Sequence, residues 1–249
     1  MTGRRVLITG ASSGLGAALA RHYAGPGAVL GLVARRGERL DEARTGLAAA
    51  GARVLTWAAD VRDARQMAEI VREFWREADG ADLVIANAGI SLSDRLNAGD
   101  PGPATEVFAA NVTGTLNTLL PVIPLMIERG RGHLAGIGSV AGFRGLPGKG
   151  AYSASKAALK TLFDAWRPVL RPSGIHVTMI CPGYIRTELT AENPYPMPFL
   201  MDADRAAGLI ARAIDRRAAT YILPWQMRLL VPILQVVPDW MLPSRSGRK

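Results

Sequence analysis

Two rhythms of apolar and polar positions alternate along the chain. Short β-branched-rich runs such as RRVLI, AVLGLVA and IHVTMI read as strands buried on both faces, and LGAALARHYA carries apolar residues at helical spacing. The alternation predicts strands near residues 4–9, 28–34, 53–58, 82–86, 132–138, 175–181 and 219–223, with helices between them. Gly25, Pro26 and Gly27 punctuate the first crossover, and Pro172, Ser173 and Gly174 the sixth. This is a βαβ pattern and implies an α/β fold: a doubly wound, seven-stranded parallel sheet with helices on both faces. At 249 residues and 49% hydrophobic content, one domain over residues 1–224 suits the chain, followed by a tail over 225–249.

Ligands bind at the carboxyl ends of strands in such sheets, and the chemically suggestive residues gather there. The first strand runs into TGASSGLG, where Gly10 permits a tight turn, Gly14 lets backbone approach a pyrophosphate and Gly16 lets the next helix pack closely. That helix offers free N–H groups to phosphates, so the context favours a dinucleotide. After the second strand come Ala34, Arg35 and Arg36; an NAD site would place a carboxylate here, whereas guanidinium groups clamp a 2′-phosphate. The other strand ends carry Asp60 and Val61, then Asn87, Ala88 and Gly89, then Ser139, then Pro182 and Gly183. In AYSASKAALK, Tyr152 and Lys156 stand four apart, on one helical face, where a cation beside a phenol favours proton exchange near neutral pH.

These motifs together (TGASSGLG, NAG at 87–89, Asn111 in NVTGTLN, Ser139, YSASK at 152–156 and PG at 182–183) resemble the short-chain dehydrogenase/reductase family over residues 4–223. The resemblance implies a Rossmann-type fold, hydride transfer without a metal, and a catalytic group of Asn111, Ser139, Tyr152 and Lys156. Tyr152 would exchange a proton with the substrate oxygen, and Ser139 would hydrogen-bond that oxygen. Lys156 would lower the phenol's pKa and bind the nicotinamide ribose, and Asn111 would hold a helix kink and a water. Gly10, Ser12, Ser13, Gly14, Leu15, Gly16, Arg35, Arg36, Asp60, Val61, Asn87, Ala88, Gly89, Tyr152, Lys156, Pro182, Gly183, Ile185 and Thr187 would bind NADP(H). Asp60 is assigned to the adenine amino group and Thr187 to the carboxamide, while Ser13 stands where many NADP-preferring relatives carry a basic residue. A homodimer or homotetramer is implied, through the helix after Tyr152 and the one around Asn111. Read alone, Asn111 is equally an exposed helix position, Ser139 a capping serine and Asp60 a helix cap. The stripe Leu159, Leu162, Phe163, Trp166 and Leu170 is core or interface, with Pro168 set to bend that helix.

Net charge of +9 and a pI near 10.4 raise the question of nucleic acid. Of the thirty basic residues, however, only Lys149, Lys156, Lys160 and Lys249 are lysine, and the arginines are dispersed rather than interleaved with aromatics, so no nucleic-acid partner is expected. The single cysteine, Cys181, excludes an internal disulfide and reads as a buried thiol; with three histidines it leaves no zinc cluster. With no secretory leader and no apolar run near the ~20 residues needed to span a bilayer, a cytoplasmic protein is expected, with peripheral membrane contact open. Residues 184–201 read as a substrate lid in which Tyr184, Tyr195, Met197, Phe199 and Leu200 either line an apolar pocket or pack the lid itself. The tail from Trp225 to Met241 is too apolar to hang free, so it packs on the domain, on a partner subunit or on a membrane surface, broken into short pieces by Pro232 and Pro238. The expected function is NADP(H)-dependent interconversion of an apolar ketone or aldehyde and its alcohol, with a non-catalytic nucleotide sensor on the same fold as the alternative.

Overall fold

In the computed structural model, residues 3–191, 193 and 196–241 are described. Each expected apolar run forms a strand: β1 Arg5–Thr9, β2 Val29–Ala34, β3 Arg53–Ala58, β4 Leu83–Ala86, β5 Gly132–Ile137 and β6 Ile175–Pro182. Two short strands, β7 Ile185–Arg186 and β8 Met201–Asp202, pair with each other, and β9 Thr220–Leu223 follows. The main sheet has seven strands in the order β3-β2-β1-β4-β5-β6-β9, every neighbouring pair parallel. The order reverses direction between β1 and β4, which opens a crevice at their carboxyl ends.

Helices cover both faces, and the period of two along the strands divides the core between them. Val6 and Ile8 of β1 and Leu83 and Ile85 of β4 pack beneath α1 Gly14–Tyr23, α2 Gly37–Ala49 and α9 Ala203–Asp215. Leu7 and Val84 face the opposite layer, built on α3 Ala64–Glu77 and on the helices that follow β4 and β5. Aromatic rings reach the strands because glycine leaves room: a Cβ on Gly31 would lie 2.6 Å from the Phe74 ring, and one on Gly136 2.3 Å from the Phe163 ring.

After β4 the chain forms α4 Gly102–Phe108, a wide π turn at Ala109–Thr113, α5 Gly114–Leu119 and α6 Ile123–Arg129. This Gly102–Arg129 stretch has the length and hydropathy of a membrane span, contrary to the expectation that no segment would. Val107, Leu119, Val122 and Met126 pack one side of it into the protein core. α7 Gly150–Leu170 follows β5 and runs through Pro168, whose missing N–H falls in the last turn. Its stripe is core: Leu159, Phe163 and Leu170 are buried, and Trp166 stacks on Phe163.

The tail departs from expectation. Trp225–Val236 is one continuous helix, α10, that passes through Pro232 and stops only before Pro238. The hydrogen bond Pro232 forgoes is to the carbonyl of Arg228, and both residues are exposed, so water can satisfy that group. Tyr195 and the basic end of the tail lie outside the described residues.

Candidate active site

The strand ends bring two groups of side chains to one edge of the sheet. The first surrounds α7. Asp94 accepts hydrogen bonds from the backbone N–H groups of Gly150 and Ala151, which fixes where α7 starts. A Cβ on Gly142 would lie 2.8 Å from the Lys156 carbonyl carbon, so the loop after β5 packs directly on the α7 backbone. That contact sets Ser139, at the head of this loop, against Tyr152. Ser139 does cap the short 3₁₀ turn Val140–Gly142, accepting from the Ala141 N–H at 3.1 Å, and its hydroxyl is near enough to the Tyr152 phenol to lower that group's pKa.

Asn111 is fully buried within the π turn, and the widened backbone aims its amide across the helix. Its Nδ2 donates to the Ile90 carbonyl and to Ser155 Oγ, both at 3.0 Å, while Oδ1 accepts from the Ile90 N–H at 2.8 Å. Ser155 Oγ in turn donates to the Tyr152 carbonyl at 2.7 Å. The exposed-position reading of Asn111 is therefore excluded: it ties the segment after Gly89 to the first turns of α7.

Lys156 is buried, and its Nζ donates to the Ile137 carbonyl at 2.8 Å and sits 5.7 Å from the centre of the Tyr152 ring. Burial lowers its pKa from 10.5 to about 8. The expected depression of the phenol by this lysine is not met: burial pushes the Tyr152 pKa upward, the Ser139 hydrogen bond opposes it, and neighbouring Tyr184 adds to the rise. The phenol is thus held protonated, as a proton donor requires.

The second group surrounds the glycine turn. Gly10 has φ +68°, and a Cβ there would lie 2.8 Å from Ala88 Cα; one on Gly16 would lie 2.2 Å from the Gly10 carbonyl oxygen. Asn87 pins this turn, its Nδ2 donating to the carbonyls of Thr9 at 3.0 Å and Gly10 at 3.2 Å. Thr187 approaches from the other side, its Cβ 3.0 Å from where a Cβ on Gly14 would sit. Leu15 is buried behind the turn, and no acidic side chain occupies the first turn of α1, so its N–H end is open to an anion. A Cβ on Gly89 would meet Asn111 Oδ1 at 3.0 Å and Lys156 Nζ at 3.4 Å, which joins the two groups. Gly114 admits Val61, a Cβ there falling 2.5 Å from Val61 Cγ2, and Val61 closes the cleft beside α5.

Arginines dominate the far end. Arg36 Nη2 donates to Ser13 Oγ at 2.7 Å and to Ser12 Oγ at 3.3 Å, while its Nη1 pairs with Glu188 at 2.9 Å. Glu188, in α8 Glu188–Ala191, also pairs with Arg39, and the two guanidinium groups hold its carboxyl below the usual range. Asp60 is paired to Arg62 at 2.6 Å, with Arg35 close enough to help lower its pKa; Asp63, not Asp60, caps α3. A turn that only glycine fits and an open helix end suit the pyrophosphate of a dinucleotide. Pro182, Gly183 and Ile185 wall this cleft from β6 and β7, the Gly183 N–H donating to the Leu223 carbonyl at 2.7 Å.

Spacing alone did not reveal Ser155, Asp94, Glu188 or the Arg62 pair. Ser155 lies inside YSASK and is signalled only by its helical offset from Tyr152; the others depend on contacts between distant segments.

The short chain dehydrogenase family profile matches residues 4–196. An uncharacterized oxidoreductase of Myxococcus xanthus is 41% identical over 248 residues, covering 100% of this chain and 98% of the relative. A Burkholderia phymatum short chain dehydrogenase/reductase solved in complex with NAD superposes with a TM-score of 0.85 at 25% identity, covering 93% of this chain and 92% of the other. A 3-ketoacyl-ACP reductase from Sinorhizobium meliloti gives 0.81 at 28% identity, covering 90% and 99%. The chain belongs to the short chain dehydrogenase family. Within it the protein is an oxidoreductase that uses a nicotinamide cofactor and acts on a carbonyl–alcohol pair in a small molecule.

Proposed function

We propose that the protein is an NADP(H)-dependent oxidoreductase that interconverts an apolar ketone or aldehyde and the corresponding alcohol, with Tyr152 as general acid/base. The observation that carries this reading is the meeting of the half-buried Tyr152 phenol with Ser139, beside the buried Lys156, whose Nζ sits 5.7 Å from the Tyr152 ring centre. The bound nicotinamide supplies or accepts the hydride. Ser139 and Tyr152 donate hydrogen bonds to the substrate oxygen, and the pair stabilises negative charge there better than water does because it is already in place. Tyr152 then gives its proton to that oxygen in reduction and takes it back in oxidation. Lys156 holds the ribose hydroxyls from the floor of the cleft, and Asn111 keeps the π turn and a water that links Lys156 to solvent.

Gly10, Ser12, Ser13, Gly14, Leu15 and Gly16 hold the pyrophosphate side, and Asp60, Val61, Asn87, Ala88 and Gly89 the adenosine and ribose side. Pro182, Gly183, Ile185 and Thr187 hold the nicotinamide side. Preference for NADP(H) over NAD(H) rests on Ala34, which offers no carboxylate, and on Arg35 and Arg36. Arg36, whose Nη2 donates to Ser13 Oγ, supports that preference, since many NADP-preferring relatives carry a basic residue where this chain has Ser13. Phe108, Leu120 and Val169 leave apolar surface on α4 to α7, which supports a homodimer or homotetramer through these helices.

Tyr152→Phe tests the reading: NADPH binding persists while carbonyl reduction falls by orders of magnitude. Undiminished turnover in the variant removes Tyr152 from the mechanism, and a wild type that binds NADPH without turning over any carbonyl favours a nucleotide sensor.

A further inference from the structure

The helix α10 has an apolar face on each side. On its inner side Met227 and Val231 are buried, and Met227 Cγ lies 3.0 Å from where a Cβ on Gly183 would sit. At its carboxyl end, Arg144 donates to the Val237 carbonyl at 2.9 Å and the Gln235 carbonyl at 3.4 Å. Arg144 belongs to the same loop as Ser139, so α10 runs from the Gly183 turn to the loop that carries Ser139.

The outer side of α10 carries Trp225, Leu229, Ile233 and Val236, spaced so that they form one stripe, continued by Trp240; these side chains are 57% to 82% exposed. A cavity of about 250 Å³ opens beneath the amino end, its lining including Phe199, Leu209, Tyr221 and Trp225 together with Arg205 and Gln226, and Phe199 and Trp225 are both exposed. The sequence from Arg216 onward carries Arg216, Arg217, Arg228, Arg245, Arg248 and Lys249 against a single acid, Asp239. Its last eight residues, 242–249, lie outside the described chain and hold three of these cations.

We infer that the outer face of α10 docks on an anionic lipid bilayer, with its tryptophans at headgroup depth and the cavity mouth turned toward the acyl chains. An apolar helical stripe with tryptophans near both ends, Arg228 on the same helix and an excess of cations in the surrounding sequence suits the plane of a bilayer surface. Twelve helical residues span about 18 Å, too short to cross a ~30 Å hydrocarbon core, so the helix lies on the surface. A second copy docking here would set basic segment against basic segment, whereas anionic headgroups neutralise it. Delivery of an apolar carbonyl from the bilayer rests on the proposed oxidoreductase function; docking itself is measured without turnover.

The full chain is sedimented with phosphatidylcholine vesicles, with and without phosphatidylglycerol. It pellets with the mixed vesicles at least ~10-fold more strongly, and its tryptophan emission shifts to the blue. The variant Leu229→Ser, Ile233→Ser, Val236→Ser loses at least ~10-fold in vesicle partitioning while reducing a small water-soluble carbonyl at the wild-type rate. Arg228→Glu weakens only the phosphatidylglycerol-dependent part. Wild type that stays in the supernatant, equal binding to both vesicle types, or undiminished binding by the triple variant overturns the inference. So does a triple variant of smaller assembled mass in light scattering, which assigns the stripe to a second copy. Vesicle binding by a wild type that reduces no carbonyl leaves docking standing and removes the oxidoreductase reading of the cleft.

Discussion

Lys156→Met should make the cofactor-free protein more stable while abolishing its turnover. Lys156 is buried with its pKa lowered from 10.5 to about 8. At about 1.4 kcal/mol per unit, that gap withholds roughly 3 kcal/mol from the folded state at pH 7. Methionine keeps much of the side chain and removes the charge, but it also deprives the Ile137 carbonyl of its donor, at a cost of roughly 1.5–2 kcal/mol. The net gain is roughly 1–2 kcal/mol, or several degrees in Tm for a chain of this size. The unfolded chain keeps the lysine proton up to about pH 10.5, whereas the folded protein releases it near 8. The advantage of the variant is therefore constant below pH 8, shrinks between the two values, and reverses above them, where only the lost carbonyl bond remains. Urea unfolding of both proteins between pH 7 and 10 gives this difference directly. A variant less stable than wild type at pH 7, or a difference that stays constant from pH 8 to 10, would refute the burial argument. NADPH should raise the Tm of the wild type far more than that of the variant, since Lys156 is proposed to hold the ribose.

Arg35→Ala with Arg36→Ala should erase an NADPH preference of at least ~10-fold and leave NADH affinity nearly unchanged; tighter NADH than NADPH binding by wild type in fluorescence titration would defeat the assignment. Glu188 competes for Arg36, so Glu188→Gln should tighten NADPH binding a few-fold without moving NADH, and identical titrations would show that the ion pair plays no part in phosphate binding. His133 is buried, hydrogen-bonded to Thr178 at 2.8 Å, and has its pKa lowered by burial from 6.5 to about 3. The unfolded chain protonates at the higher value, so stability should fall by up to ~1.4 kcal/mol per pH unit as pH drops from 6.5 toward 3; His133→Gln should flatten that slope in acid melts, and an unchanged slope would assign it elsewhere.

The seven main strands were legible because each is a short, largely apolar run bounded by helical periodicity, and the motif residues followed because they sit at strand ends. The two-residue strands β7 and β8 were not, since a segment so short has no period to read. Nor was the form of the turn at Ala109–Thr113, where the widening is a change of hydrogen-bond partners inside an unbroken apolar helix. Reading Pro232 as a helix break failed because the forgone bond faces solvent, where its loss is small. The direction of the Tyr152 shift was misjudged for a related reason: spacing shows that Lys156 is near, but not that the surrounding protein desolvates both groups. Asp94, Arg144 and Glu188 act across long sequence separations, and no local pattern announces such pairs.

Cys181 lies on β6 immediately before Pro182 and Gly183, essentially inaccessible, with its thiol pKa raised by burial to about 12. As the chain has one cysteine, an alkylating reagent reaches sulfur only when this strand comes away from its neighbours. The labelling rate is therefore a built-in clock for the opening of the layer beneath the cleft. It counts one event at one atom, and its slowing by a bound nucleotide measures how tightly the cleft is closed without any residue being replaced.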